Sequence, residues 1–452
     1  MHHEAVGGRL GFVAAGLGGL TPSGRPIVPL AWALYDLANT IYSYAIVSYA
    51  MGLWAVDRLG RADGQFWFGI AVAASVGLNA LVSPVLGALS DRGGRRLPYL
   101  LVFTAVTIGA TALIAITASP LLGLGLFAVA NFGYQAALIY YDSTLPTVAR
   151  PEARGRVSGF GVAVGYLGTI LIAGLILVLD TGASPATFLI AAGLYALFAI
   201  PIFIVIREPN PSGYRFRFAD AIGSWTQLGT TIRHAREVPG LFRFLIGRFF
   251  YTDPVNTVIV VMSVFATSAV GLTGGQANLL LLTLTIVAVL ASLGWGQLVE
   301  RIGPKRTLLI VLASWCVGLV VAGSVLSVPT LVVGGALLGA GLGGVWTADR
   351  VFMLRLSPSD QVGEFFGLYG LAGKFSAVTG PVLYGLIVST LLNAGWGSAA
   401  YQVGIFSFLA LLVVGVLLLR GVPEPPPTAT PVARTGPPPD RLAPSATPIE
   451  PR

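Results

Sequence analysis

The stretch Gly87-Ala88-Leu89-Ser90-Asp91-Arg92-Gly93-Gly94-Arg95-Arg96 joins two long apolar runs, residues 66–89 and 98–119. It contains three glycines, one carboxylate and three arginines. Glycines permit a tight turn and close helix packing, and a carboxylate can accept hydrogen bonds from an arginine or from a helix N-terminus. We therefore expect a short basic loop between two helices, in which Asp91 binds either an arginine or a helix N-terminus.

Composition indicates that lipid is the solvent for most of the chain. Of 452 residues, 55% are hydrophobic and 10% are charged, and the mean hydropathy is +0.81. Soluble domains carry about 25% charged residues, so this chain could not cover a water-facing surface of its size. The net charge of +8 comes from arginines in short loops, which favours membrane orientation over nucleic-acid binding.

Metal, cofactor and enzyme chemistry find no support in the sequence. The single cysteine, Cys316, lies in an apolar run, and the three histidines lie outside such runs. We recognise no nucleophile–histidine pair, Walker sequence or dinucleotide fingerprint. The expectation is no metal site, no cofactor and no enzymatic activity.

Apolar runs long enough to cross a bilayer recur along the chain. A hydrocarbon core about 30 Å thick needs about 20 apolar residues as helix, and lipid leaves helix as the only option for such runs. We mark twelve runs: 28–55, 66–89, 98–119, 121–148, 157–179, 186–206, 241–266, 277–299, 306–327, 329–356, 364–391 and 398–420. The fold class predicted is an all-α membrane protein.

Basic residues alternate between the two sides of these runs. Arginines and lysines cluster after helices 2, 4, 6 and 8, whereas the opposite loops carry only Arg58 and Arg61. By the positive-inside rule, both termini and the central loop are cytoplasmic. The predicted location is the cell (inner) membrane, with the lipid bilayer as a partner and a monomeric state.

The predicted domains follow from breaks between runs. A cytoplasmic leader (1–27) precedes a six-helix bundle (28–206), a cytoplasmic central loop (207–240) and a second six-helix bundle (241–420). The tail, 421–452, is rich in proline and small polar residues and is predicted to be disordered.

The two bundles repeat each other in sequence. Asp91 lies 209 residues before Glu300, each inside a Gly-containing basic loop. Gly155, Gly159 and Gly165 each lie 208 residues before another glycine, and Asp36, Asn39 and Thr40 each lie 217 residues before the same residue type. Three correspondences in one order favour duplicated halves; coincidence among glycine-rich helices is the alternative.

The loop 87–96 resembles the signature of the major facilitator superfamily between helices 2 and 3. Four further segments resemble its vacuole-effluxer-like branch, related to autophagy-linked amino-acid effluxers: WALYDLAN (32–39), YYDSTLP (140–146), YTDPVNT (251–257) and EFFGLY (364–369). The resemblance implies two pseudo-symmetric bundles that rock around a central site. It also implies a cavity lined by helices 1, 4, 7 and 10, and a start of helix 11, near Gly363, that contacts Asp91.

Ionisable residues inside apolar helices are the best pointers to function, because each is costly unless paired or hydrated. They concentrate on helices 1, 4, 7 and 10. The predicted substrate and coupling cavity comprises Tyr35, Asp36, Asn39, Tyr141, Asp142, Arg248, Tyr251, Asp253, Asn256, Asp349, Arg350 and Lys374. The predicted cytoplasmic gate comprises Gly87, Asp91, Arg92, Arg95, Arg96, Glu300, Arg301 and Lys305.

Structural alternatives remain open for these residues. Asp36 could pair with a loop arginine, Asp253 could satisfy backbone donors at a kink, and the tyrosines could merely pack. Lys374 could pair with Asp349, Arg248 could extend to the interface, and the loop arginines could only set topology.

The predicted function is secondary transport of a small organic solute by alternating access. The resemblance favours efflux of an amino acid or related metabolite. The alternatives are a proton-driven multidrug exporter and a non-transporting membrane sensor or scaffold. Proton coupling would need a buried carboxylate, since no histidine lies in a predicted helix; the candidates are Asp36, Asp142 and Asp253.

Overall fold

The protein, seen in a computed structural model, is described for residues 19–208 and 228–424. Most of the predicted leader, much of the central loop and nearly all of the proline-rich tail lie outside these ranges. Within them the chain is helical, and no β-strand occurs.

Each predicted apolar run overlaps one long helix in the described ranges. In chain order, α1 to α12 are Ile27–Tyr42, Arg61–Gly93, Leu97–Ile116, Pro120–Ser143, Arg154–Val178, Pro185–Val205, Leu241–Val264, Gly274–Ile302, Pro304–Ser324, Val328–Leu356, Val362–Asn393 and Ala399–Arg420. Helix α1 continues through a π-helical segment, Ser43–Ala50, into Met51–Leu59, and α7 continues into a π-helical segment, Phe265–Ala269. Short helices lie at Leu145–Val148 and Leu228–Glu237.

The helices are long enough for a multi-pass membrane protein. Within the described ranges, eight helices are long and apolar enough to cross a membrane, and α2 is a ninth when its two arms count as one span. The other long helices are α1, interrupted by its π-helical segment, α7 and α11. Large aliphatic side chains point outward, with Leu177 and Val178 both 81% exposed, as expected for a lipid-facing surface.

Helix ends follow from local sequence. Proline occupies the first turn of α3, α4, α6, α9 and α10, where a missing N–H costs nothing. Thr273 and Gln276 form a capping box at the start of α8. The two motif loops end their helices with glycines of positive φ, Gly94 at 62° and Gly303 at 90°, which L side chains rarely adopt.

Helix α2 is bent by 44° between its arms Trp67–Ser83 and Val85–Asp91. The break falls at Pro84, which cannot donate a backbone hydrogen bond to the preceding turn. The bend gives α2 two arms that meet the other bundle at separate points.

The halves α1–α6 and α7–α12 form two bundles that meet along few helices. The main contacts between them join α2 to α11, and α5 to α8 and α10. We call the end that carries loops 92–96, 150–156 and 301–306 the arginine-rich end. The space between the bundles is the candidate site.

Candidate functional site

A cavity of about 460 Å³ lies between the two bundles. Its walls come from α1, α4, α7 and α10, as the resemblance implied, and also from α2, α5 and α11. The charged side chains that line it, within the described ranges, are Asp36, Asp142, Arg248, Arg350 and Lys374. A cavity of this size can enclose a small organic molecule.

The lining residues recur at helical spacing, so each helix presents one face. Asp36 is followed by Thr40 and Ser43, and Asp142 is preceded by Gln135, Leu138 and Ile139. Positions three, four and seven apart share one side of a helix. The aromatic lining residues Tyr134, Tyr166, Phe366 and Tyr369 and the amide Gln135 were missed as site residues, and this spacing would have found Gln135.

Arg350 links the bundles at the cavity wall. Its Nε lies 3.0 Å from Asp142 Oδ1 and its Nη1 lies 4.0 Å from Asp36 Oδ2, so α10 of one bundle pairs with α4 and α1 of the other. The guanidinium carbon also lies 5.1 Å from the centroid of the Trp32 ring. Two carboxylates against one guanidinium leave this cluster with one surplus negative charge when all three groups are ionised.

Arg248 and Asp349 form a buried pair within the second bundle. Arg248 Nε donates to Asp349 Oδ2 at 3.0 Å, and Tyr251 and Tyr369 donate their hydroxyls to the same carboxylate at 2.5 and 3.1 Å. Asp349 is fully buried, and these three donors satisfy it. Arg248 reaches the cavity, whereas Asp349 and Tyr251 lie behind it.

Lys374 contacts the opposite bundle instead of Asp349. Its Nζ donates to Asn79 Oδ1 and, at 3.0 Å, to Ser83 Oγ, both on α2. Asn79 and Ser83 are fully buried and uncharged. In the described ranges, no acidic side chain forms an ion pair with Lys374.

Asp253 does not line the cavity. Its Oδ1 accepts the backbone N–H of Gly380 on α11 at 2.7 Å, just before Pro381 in the sequence. Asp253 thus binds a backbone donor, as the structural alternative proposed, but the donor lies on α11 and not at a kink of its own helix. Asn256, one turn further along α7, does line the cavity.

Tyr35, Asn39 and Tyr141 lie in the first bundle, behind the cavity wall. Tyr35 shares a hydrogen bond with Thr104 at 2.5 Å, and Asn39 Oδ1 accepts the hydroxyl of Tyr195 at 2.8 Å. Tyr141 donates to the backbone oxygen of Trp32 at 3.2 Å. These residues position α1 and α4 rather than contact the cavity.

Asp91 caps the start of α11 at the arginine-rich end. Its carboxylate accepts the backbone N–H of Gly363 at 2.9 Å and of Glu364 at 2.7 Å, and pairs with Arg96 at 3.1 Å. The start of a helix presents unpaired N–H groups and a positive dipole end, which a carboxylate stabilises. Gly87 permits the approach, because a Cβ there would lie 2.0 Å from the oxygen of Gly363.

Glu300 repeats this arrangement in the other direction. It accepts the backbone N–H of Arg156 near the start of α5 at 3.0 Å and pairs with the Arg156 guanidinium. Gly155 and Gly159 again allow close packing, here against the backbone of α8. The first bundle thus caps α11 and the second caps α5, as expected of duplicated halves.

The other predicted gate residues have different positions. Arg95 and Arg301 are exposed. Lys305 stays within its own bundle, where its Nζ donates to the backbone oxygen of Arg420 at 2.9 Å. The side chain of Arg92 lies outside the described part of the structure.

A second pair of carboxylates was missed. Glu208 accepts the backbone N–H groups of Arg96 and Leu97 at 2.8 Å, and Glu424 accepts that of Lys305 at 3.2 Å. Each glutamate follows the sixth helix of its half and caps the third. A Glu-Pro dipeptide at both places, 216 residues apart, was the available signal.

Comparison with solved structures places the chain in the major facilitator fold. The human organic anion transporter MFSD10 (TETRAN) superposes with a TM-score of 0.68 at 17% identity, covering 87% of this chain and 98% of that one. The proton:xylose symporter XylE gives 0.65 at 15% identity, covering 86% and 93%. At such identities the likeness concerns the fold alone.

Sequence relatives include a protein named as a transporter of the same superfamily. The uncharacterized MFS-type transporter YxiO of Bacillus subtilis is 29% identical over 420 residues, covering 87% of this chain and 94% of YxiO. Autophagy-related protein 22 of Coccidioides immitis is 27% identical over 300 residues, covering 59% of this chain and 48% of that protein. The family profile described as "Vacuole effluxer Atg22 like" matches residues 67–425. The chain is therefore a membrane transporter of the major facilitator superfamily and belongs to its Atg22-like vacuole effluxer family.

Proposed function

We propose that the protein carries a small zwitterionic organic solute, an amino acid or a close relative, across the cell membrane by alternating access. The observation that carries the proposal is a charged cavity between two bundles whose arginine-rich end is closed by reciprocal caps. Asp91 and Glu300 each hold the start of a helix in the opposite bundle. Breaking both caps would open the cavity to that side.

Charge balance supports a zwitterion. Counted as ionised groups, the Arg350 cluster has one surplus negative charge, Arg248 is neutralised by Asp349, and Lys374 has one surplus positive charge. Opposite surplus charges on different walls complement an ammonium group and a carboxylate in one solute. Apolar lining residues such as Val76 and Leu138 suit an aliphatic side chain.

Orientation, direction and coupling complete the proposal. The positive-inside rule assigns the arginine-rich end and both termini to the cytoplasm, and the family's description favours efflux. Coupling to protons would use Asp36 or Asp142, which reach the cavity, rather than Asp253.

Flux measurements in proteoliposomes test this function. We expect a mixture of radiolabelled standard L-amino acids to exchange across vesicles containing the protein and not across empty vesicles. Asp36→Asn should abolish exchange while reconstitution is unchanged. Flux of lipophilic cationic dyes without amino-acid exchange would instead favour a multidrug exporter, for which the aromatic lining residues are suited. Absence of any flux would favour the sensor.

A further inference from the structure

Lys374 occupies an unusual position for a membrane lysine. It lies in the middle of α11, is 8% exposed, lines the cavity and donates to Asn79 and Ser83 across the boundary between bundles. A buried ammonium normally has an acidic partner, because desolvation is costly. Asp142 and Arg248, which carry opposite charges, line the same cavity as Lys374.

The cavity reaches the ammonium beside Gly370. Gly370 lines the cavity one turn before Lys374, and a Cβ built there would lie 3.6 Å from Nζ. Because glycine supplies no side chain, helix α11 leaves that side of the ammonium uncovered. A carboxylate placed there would give Lys374 the charged partner that its own protein neighbours do not provide.

The two neutral partners of Lys374 belong to the helix that also caps α11. Asn79 lies twelve residues before Asp91 on α2, and Lys374 lies eleven residues after Gly363 on α11. At about 1.5 Å per residue, the Lys374 contact and the Asp91 cap are about 17 Å apart along the same helix pair. The bend at Pro84 separates them, immediately after Ser83.

These contacts compete with a carboxylate for the same ammonium. An ammonium has three donors, and a charge-assisted bond to a carboxylate is about twice as strong as one to a neutral acceptor. A carboxylate arriving from the cavity would therefore weaken the bonds to Asn79 and Ser83. Weakening them loosens the Trp67–Ser83 arm of α2 from α11.

We propose that Lys374 is the carboxylate-binding group of the solute site and that carboxylate binding releases α2 from α11, favouring separation of the arginine-rich end. This inference rests on the proposed transport function. It assigns to one side chain both recognition of the solute and communication with the closed end.

The experiment measures the distance between spin labels across the arginine-rich end. Glu152→Cys and Arg306→Cys, both exposed and in opposite bundles, carry the labels in a Cys316→Ala background. The full-length protein is reconstituted in lipid nanodiscs. The probes are L-leucine and L-leucinamide, which differ only in the carboxylate.

We expect L-leucine, and not L-leucinamide, to increase the long-distance population. Lys374→Met should raise that population without solute and remove the response to L-leucine, whereas Asn79→Ala should raise it and keep a response. The matched control is Asn131→Ala, which removes a buried amide bonded to Ser75 within the first bundle and should change neither.

Two results overturn the inference. One is an L-leucine response in Lys374→Met equal to that of the parent protein. That result would be compatible with the proposed transport function but would show that Lys374 does not bind the carboxylate. The other is an unchanged solute-free distance in both Lys374→Met and Asn79→Ala. Failure of the parent protein to respond to or exchange any amino acid instead overturns the proposed function, and this inference with it.

Discussion

Replacing Gly87 with alanine should open the arginine-rich end. An added Cβ would lie 2.0 Å from the oxygen and 2.6 Å from the carbonyl carbon of Gly363, both of them backbone atoms that cannot rotate away. Ordinary van der Waals contact begins near 3.4 Å. Helices α2 and α11 must therefore separate by about 1.4 Å at this point.

The separation acts directly on the cap of α11. The Asp91 hydrogen bonds to Gly363 and Glu364, at 2.9 and 2.7 Å, would lengthen beyond bonding range. Hydrogen bonds to charged groups contribute about 1.5–3 kcal/mol each. Allowing for partial relaxation, we expect the closed arrangement to lose about 3 kcal/mol, which shifts the closed-to-open ratio about a hundredfold.

The spin-label pair at positions 152 and 306 measures this shift. Gly77→Ala is the matched control, because Gly77 lies on the same helix and a Cβ there meets nothing within 4 Å. We expect Gly87→Ala to move most molecules to the long distance and Gly77→Ala to leave the distribution unchanged. A short distance retained in Gly87→Ala, with normal thermal stability, would refute the closing role of this contact.

Four substitutions separate roles at the site. Asp36→Asn should abolish amino-acid exchange. Asp253→Asn, whose carboxylate lies off the cavity, should lower the melting temperature and retain measurable exchange. Exchange that is lost in Asp253→Asn and kept in Asp36→Asn would contradict the cavity assignment. Asp349→Asn should destabilise the detergent-solubilised protein by about 3 kcal/mol, because it leaves a buried arginine without its counter-ion, and an unchanged melting curve would argue against that pair. Glu300→Gln should raise the long-distance population less than fivefold, since its partner Arg156 is half exposed and such pairs contribute about 1 kcal/mol or less. If the long-distance population does not change even at low salt, Glu300 is not one of the closing contacts.

Sequence reasoning predicted the helices well, because apolar length is sufficient to identify them. The helices extend a few residues beyond the predicted runs where polar residues continue the backbone, as α2 does from Arg61 to Gly93. The π-helical segments in α1 and α7 left no apolar signature and were not predicted. The spacing of the polar residues in these segments is also compatible with an ordinary α-helix, so it does not distinguish the two helix types.

The candidate site was predicted in part. Asp36, Asp142, Arg248, Asn256, Arg350 and Lys374 line the cavity, and six other predicted residues lie behind it. Membrane depth, which the sequence gives, does not determine the direction in which a side chain points around the helix axis. Asp253 shows the difference, because its depth suits the cavity while its carboxylate binds α11.

Glu424 has a practical consequence for any truncation. Its carboxylate binds the start of α9 and lies 3.6 Å from Arg355, so the last described residue of the chain is part of the folded bundle. A deletion beginning at Gly421 would remove that carboxylate together with the proline-rich stretch, and lost activity would then report damage to α9. Truncated proteins made to test the role of the proline clusters should therefore retain Glu424, with the deletion beginning at Pro425 or later.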